Sequence, residues 1–250
     1  ALGIEEFNEV CRNSVFTYKE EWENLSERIG YWLDYSCPYV TFHADYIESV
    51  WWILKQLADR GILYKGYKSV PYCPRCGTAL SSHEVAQGYR EIEDPSLHFI
   101  CHWLTPEGDP DPEGRAFLVW TTTPWTIPSN TGLAINPDLT YVEVKLKDLI
   151  LVLAEDRLDE VIGDDAHVIR RYKGANLKGV RYARPLDIVA IPDDPQNGWT
   201  VVDEHFVSSE EGTGIVHIAP AFGSDDYAAG QRHSLPMLMP IDEAGCFLPD

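Results

Sequence analysis

Three groups of side chains in this sequence have the types and spacings that chemistry needs. Trp120-Thr121-Thr122-Thr123-Pro124-Trp125-Thr126 places four hydroxyls close together, and threonine hydroxyls both donate and accept, so such a cluster suits ester oxygens, a ribose or a water. The stretch Gly212 to Tyr227 joins a glycine turn, a short apolar run and a second turn into a helix start, and within it His217 offers an imidazole and Asp226 a carboxylate. Cys73-Pro74-Arg75-Cys76-Gly77 is a CxxC knuckle. Two thiolates on one tight turn face one metal, and tetrahedral zinc is the natural occupant. The knuckle is half a site, since structural zinc takes four ligands and no second CxxC follows; His83, Cys101 and Cys246 are the remaining candidates, at poor spacing. A redox pair and an inert turn stay open as readings of the same cysteines. A threonine-rich strand edge, a satisfied core histidine and a helix-capping aspartate stay open for the others.

These groups need elements to hold them. Apolar runs predict strands at 116–121, 141–144, 149–153, 200–202 and 214–218, separated by Pro/Gly/Asp clusters such as 105–110 and 192–198. Pro124 prevents simple continuation of the strand before the threonines. His217 alternates with its apolar neighbours and is expected to point opposite to Val216 and Ile218. Short helices are expected at 158–162 and 226–233, the second with Ser224 as its cap and Asp225 and Asp226 in the first turn, where the helix dipole favours negative charge. Earlier in the chain the texture is helical. Trp22, Leu25, Ile29, Trp32 and Leu33 recur at helical spacing, as do Ile47, Val50, Trp51, Leu54 and Leu57, and both stripes are expected to be core. The Ser36 to Thr41 stretch with Pro38 separates the two helices, and Gly61 is expected to end the second.

Composition excludes several classes of function. With 20 Lys+Arg against 40 Asp+Glu the formal charge is −20, which is wrong for a self-sufficient nucleic-acid clamp, because cationic side chains supply most non-specific phosphate affinity. An anionic membrane surface repels such a chain too. The charge is uneven: residues 1–70 carry 7 Lys+Arg and 11 Asp+Glu, whereas residues 71–250 carry 13 and 29. Hydrophobic residues make up 44% of the chain, with eight Trp, enough for a sizeable core in one large or two modest domains. Six cysteines, sparse and unevenly spaced, do not form a disulfide framework. No apolar run is long enough to span a bilayer and no signal-peptide pattern opens the chain, so a soluble, cytoplasmic protein is expected. P-loop, GxGxxG, GxSxG and HExxH motifs are absent.

Three segments together resemble the isoleucyl-tRNA synthetases, class I enzymes: Val70 to Val85 with its knuckle, the Trp120 to Thr126 run, and Gly212 to Tyr227. Tyr46 to Trp52 is similar as well, so the resemblance covers nearly the whole chain. Thr123-Pro124-Trp125 stands where the valyl and leucyl relatives have a Thr-Thr-Arg-Pro pattern, which favours the isoleucyl family. The resemblance implies an α+β chain: a helical stem of the synthetase body (1–70), a zinc-knuckle connection (71–90), and a strand-rich, barrel-like editing domain (91–250), inserted in the family as a separate region and not necessarily complete at Asp250. It implies hydrolysis of valine from mischarged isoleucine tRNA, with the tRNA 3′ end and a valyl ester or valyl-adenylate as partners, and a fragment that is monomeric by itself. Thr121, Thr122 and Thr123 resemble the pocket-lining peptide, with Trp125 packed near it. Asp226 is similar to the carboxylate that holds the α-ammonium, and His217 to the residue that admits valine and excludes isoleucine. Cys73 and Cys76 resemble half of a zinc site whose second CxxC lies downstream in the family. ATP and magnesium belong to an aminoacylation site whose His-Gly and Lys-Met-Ser-Lys-Ser signatures are absent here. A second sieve is needed because one methylene is worth only about 1–3 kcal/mol in an apolar pocket, the established case being these very synthetases. The competing expectation is a non-catalytic, zinc-containing module that docks on RNA or protein, which needs neither His217 nor Asp226.

Overall fold

The computed structural model of the chain describes residues 3–147, 149–163, 166–191, 195 and 197–248. Most of the turn cluster at 192–198, and Asp250, lie outside the described residues. The chain forms two compact units, Ala1–Gly66 and Tyr67–Asp250.

The first unit holds three helices, α1 (Ile4–Val15), α2 (Lys19–Arg28) and α3 (Ala44–Asp59). The second apolar stripe lies wholly on α3, which stops at Arg60 and Gly61 as its sequence predicts. The first stripe does not stay on one helix. Gly30 adopts φ +94 and the Tyr31 N–H closes onto the Ser26 carbonyl at 2.8 Å, a glycine-type helix end that leaves Trp32 and Leu33 beyond α2. The expectation that both stripes are core is also wrong. None of the three helices has a buried residue, and Trp22 and Trp51 are 67% and 68% exposed. Within this unit, among the described residues, the three helices alone do not enclose an apolar core.

The second unit begins with a hairpin of β1 (Tyr72–Cys73) and β2 (Thr78–Ala79), which carries the knuckle, followed by the short α4 (Ser82–Ala86) under a Ser81/Glu84 capping box. Nine further strands follow among the described residues: β3 (Leu97–Leu104), β4 (Arg115–Thr121), β5 (Gly132–Ile135), β6 (Thr140–Leu146), β7 (Leu149–Ala154), β8 (His167–Lys173), β9 (Arg181–Tyr182), β10 (Thr200–Asp203) and β11 (Ile215–Ile218). The helices α5 (Leu158–Val161) and α6 (Ser224–His233) complete the unit. Six strands close a barrel in the order β11-β5-β10-β9-β3-β4 and back to β11, while β7, β6 and β8 extend the sheet beyond β4. The fold is therefore α+β, a helical stem followed by a barrel-like, strand-rich domain.

Alternation along β4 explains how barrel and extension share one strand. Phe117 and Val119 join Cys101, Leu133, Val201 and Ile215 in one core, and Ala116 and Leu118 join Val142, Leu151 and Leu153 in another. A fully buried side chain of this size contributes about 1.5–3 kcal/mol, so β4, apolar on both faces, is the central strand of the unit. Closure comes from a parallel pairing of β4 with β11 that sets Val216 beside Trp120. Two segments that lie far apart in sequence, the threonine run and the His217 strand, thereby end side by side.

Candidate functional site

The end of β4 and the end of β11 open into a cavity of about 300 Å³. Every non-cysteine site residue expected from the sequence lines it: Thr121, Thr122, Thr123, Trp125, His217 and Asp226. β4 ends at Thr121, and Pro124 starts a 3₁₀ turn (Pro124–Ser129) that folds the remaining threonines back over the strand end. The hydroxyls then bond to one another. Thr121 Oγ1 lies 3.3 Å from Thr123 Oγ1 and accepts the Thr123 N–H at 3.1 Å; Thr126 Oγ1 donates to the Thr123 carbonyl at 2.8 Å. Trp125 remains 54% exposed, at the rim.

His217 sits on β11 opposite Leu133 of β5. It is 6% exposed while Val216 is 36% exposed, so the polar residue of the pair is the one turned inward, an inversion of ordinary strand patterning. Its Nε2 lies 3.0 Å from Thr126 Oγ1, and Phe99 packs edge-on against the ring. Burial pushes the imidazole pKa down to about 4, so His217 is neutral at physiological pH.

Asp226 reaches the cavity from the first turn of α6. The helix begins one residue beyond Gly223, and Ser224 is its first residue without any side-chain cap bond, so the expected Ser224 cap does not form. Asp226 does not cap the helix either. Its Oδ1 accepts the Ala219 N–H at 2.8 Å, tying α6 to the end of β11. Burial pushes the carboxyl pKa up, with the Ala219 N–H pulling it back; among the described residues the one charge acting on it is Asp225, of its own sign. A Cβ on residue 223 would come within 2.2 Å of Asp226 Oδ2, so the glycine before the helix makes room for the carboxylate. At the other end of α6, buried Glu204 grips Arg232 at 2.6 and 3.1 Å and His233 at 3.0 Å, anchoring the helix against the segment after β10.

The far wall of the cavity is Trp120, held from behind. Arg157 donates to the Glu210 and Gly212 carbonyls at 3.0 Å each, and Gly212, at φ +65, lies flat under the indole: a Cβ there would stand 2.6 Å from Trp120 Cε3. Gly212→Ala is expected to cost about 1–3 kcal/mol through left-handed strain and the clash and to shift Trp120 fluorescence; thermal unfolding with fluorescence detection checks both. Trp120, Thr126, Val216, Ala219 and Phe222 were not singled out as site residues by their sequence. Thr126 alone carried a signal, as the fourth hydroxyl of the run.

Cys73 and Cys76 lie in the β1–β2 hairpin. The Cys76 N–H lowers the Cys73 thiol pKa, and sharing a hydrogen bond with Cys73 raises that of Cys76. No cluster of three or more His, Cys, Asp or Glu suited to a metal occurs among the described residues. Cys101 is no completer: it lies in the barrel core, where burial pushes its thiol up to about 12. The residues present thus fit two ligands of a zinc site. No described helix is long and apolar enough to cross a membrane.

Comparison with known proteins gives the chain its relatives. The family model for class I tRNA synthetases (I, L, M and V) matches residues 1–225. Isoleucine–tRNA ligases of Clostridium tetani and Thermus thermophilus are each 46% identical over 99% of this chain, and that of Picrophilus torridus is 43% identical over 98%. The chain spans 23% of the length of these curated relatives. Among solved structures, the P. falciparum cytosolic leucyl-tRNA synthetase editing domain overlaps 46% of this chain and 44% of its own, at 20% identity and a TM-score of 0.36. The curated relatives it matches are isoleucine–tRNA ligases, and by the extent of the family match the chain belongs to the class I tRNA synthetases (I, L, M and V).

Proposed function

We propose that the cavity hydrolyses valyl esters: valine carried on the 3′ end of isoleucine tRNA, with valyl-adenylate as a second substrate of the same chemistry. The observation that carries this reading is Asp226, a largely desolvated carboxylate with no cation acting on it among the described residues, set in a small cavity among hydroxyls and a neutral imidazole. An α-ammonium is the partner such a group lacks. A charge-paired, desolvated ammonium contributes about 2 kcal/mol or more.

Each residue has a role in the mechanism. Asp226 anchors the ammonium, and the Ala219 N–H fixes the orientation of its carboxylate. Thr122 donates to the ester oxygens, and Thr121 and Thr123 accept from the water that is placed against the ester carbonyl. Trp125 covers the rim, and His217 closes the part of the cavity that receives the side chain, admitting valine in preference to isoleucine. No protein nucleophile is needed, because an aminoacyl ester is already activated; positioning of the water and hydrogen bonding to the developing oxyanion supply the catalysis. The acidic second unit is suited to receiving an ammonium-bearing cargo, and cationic surfaces for the tRNA phosphates would lie elsewhere in a longer protein.

Deacylation of valyl-tRNA(Ile) by the chain, with Asp226→Ala as control, tests the reading. The expected result is deacylation above the spontaneous rate that is lost in the variant; equal rates in both proteins would remove Asp226 from the mechanism. For the knuckle, zinc at Cys73 and Cys76 would need two further thiolates. The purified chain is accordingly expected to hold less than one zinc per molecule, and elemental analysis showing a full equivalent would overturn that.

A further inference from the structure

The hydrogen bonds around His217 determine where its proton sits. Thr126 Oγ1 has one hydrogen, and it is committed to the Thr123 carbonyl at 2.8 Å. The same oxygen is 3.0 Å from His217 Nε2. With its own hydrogen engaged it meets the ring only as an acceptor, so Nε2 carries the imidazole hydrogen. The opposite tautomer would set two lone pairs against each other at Nε2 and bury an N–H at Nδ1, an atom with no partner among the described residues; an unpaired buried donor is the costlier defect.

The same logic orders the threonines. Thr123 Oγ1 lies 3.2 Å from Thr126 Oγ1 and, Thr126 being committed, is the donor of that contact. Thr121 Oγ1, 3.3 Å from Thr123 Oγ1, donates in turn. The hydrogens of three hydroxyls are thus used inside the cluster, and what Thr121 and Thr123 retain for a ligand is acceptor capacity, suited to an ammonium or a water that donates.

We infer that Thr126 is a positioning residue: it locks His217 as the neutral Nε2–H tautomer, which makes the ring a fixed wall of the cavity and not the base that takes a proton from water. The tautomer follows from the hydrogen bonds alone; its effect on substrate choice rests on the hydrolase reading above. Nothing in the residue types of the threonine run indicates this role, since the two partners are 91 residues apart.

Nitrogen NMR of the histidine-labelled chain, with His217 assigned through His217→Gln, tests the inference. Wild type should show Nε2 protonated and Nδ1 bare, unchanged between about pH 5.5 and 7.5. Thr126→Val should shift both nitrogens toward a mixture of tautomers, and Thr126→Ser should restore the wild-type pattern. Preference for valyl over isoleucyl ester hydrolysis should fall about tenfold in the valine variant and recover in the serine variant. A wild-type ring protonated at Nδ1, or a valine variant with an unaltered ring signature, would overturn the inference. The wild-type spectrum decides the tautomer even if Thr126→Val does not fold. The expected ring signatures with no hydrolysis in any of the proteins would leave the positioning role standing and sink the hydrolase reading instead.

Discussion

Asp226→Asn is expected to weaken binding of a valyl-adenosine analogue by about thirtyfold, the equivalent of the roughly 2 kcal/mol that a desolvated charge pair contributes, while making the protein more stable at pH 7. The two effects have one cause. The folded environment pushes the Asp226 carboxyl pKa up, chiefly through burial, so the folded state holds a proton more tightly than the unfolded chain does. Stability from this group is present below the unfolded carboxyl pKa and is lost as pH rises through the folded one. At neutral pH the bare carboxylate is therefore a cost to the fold that only a bound cation offsets. Asparagine keeps the shape and an acceptor for the Ala219 N–H but carries no charge to desolvate. Calorimetric titration and thermal unfolding of the same two proteins test the pair of effects; a variant that binds normally, or that is less stable at pH 7, contradicts the account.

The second large effect is the pH dependence of stability carried by His217. The unfolded imidazole takes a proton near pH 6.5 and the folded one only near pH 4. Between these values the unfolded chain binds the extra proton. The contribution is complete above the unfolded pKa and is lost as pH falls toward the folded one, in total about 3 kcal/mol for a shift of this size. His217→Asn should remove that slope. Denaturant unfolding of wild type and variant at pH 7 and at pH 4.5 gives the comparison, and equal losses in the two proteins would show that the ring is not desolvated as described. The same shift predicts that ester hydrolysis shows no inflection near pH 6.5, because the ring is already neutral there.

Half of the barrel and most of its extension were legible because these strands are apolar runs between strong turn signals; β4, β10 and β11 of the barrel and β6 and β7 of the extension all fall within a residue or two of their expected places. β3 is harder to read because its two histidines break any continuous apolar run; Leu97, Phe99, Cys101 and Trp103 nonetheless alternate with His98 and His102, and Phe99, Cys101 and Trp103 pack into the barrel core. β8, with Arg170, Arg171 and Lys173, reads as a loop by composition; among the described residues it is a sheet-edge strand paired with β6 alone, where charge protects against unwanted pairing. The stem stripes misled in the other direction. Their periodicity is real, but periodicity gives a face and not the layer that covers it, and Trp22 and Trp51 stay exposed.

The grouping of the cavity's residues was legible too, but by another route. Taken singly, a first-turn aspartate, a strand histidine and a threonine-rich strand end are ordinary; it is the resemblance of the three segments to one family that groups them, and the structure places them around one cavity. What sequence spacing did not carry was closure: the parallel pairing of β4 with β11 and the Thr126–His217 contact join segments whose proximity exists only once the barrel is closed, whereas the Ala219 N–H that turns Asp226 away from helix capping is a local contact of the turn between β11 and α6.

The central claim is that the cavity recognises an α-ammonium ester of a small branched side chain. The most direct measurement is calorimetric titration of the chain with two non-hydrolysable adenosine amides, one carrying valine and one carrying isovaleric acid, which differ only in the amino group. The account predicts that the valyl compound binds about thirtyfold or more tightly than the des-amino compound, and that Asp226→Asn erases the difference. Equal affinity of the two compounds for the wild-type chain would contradict it.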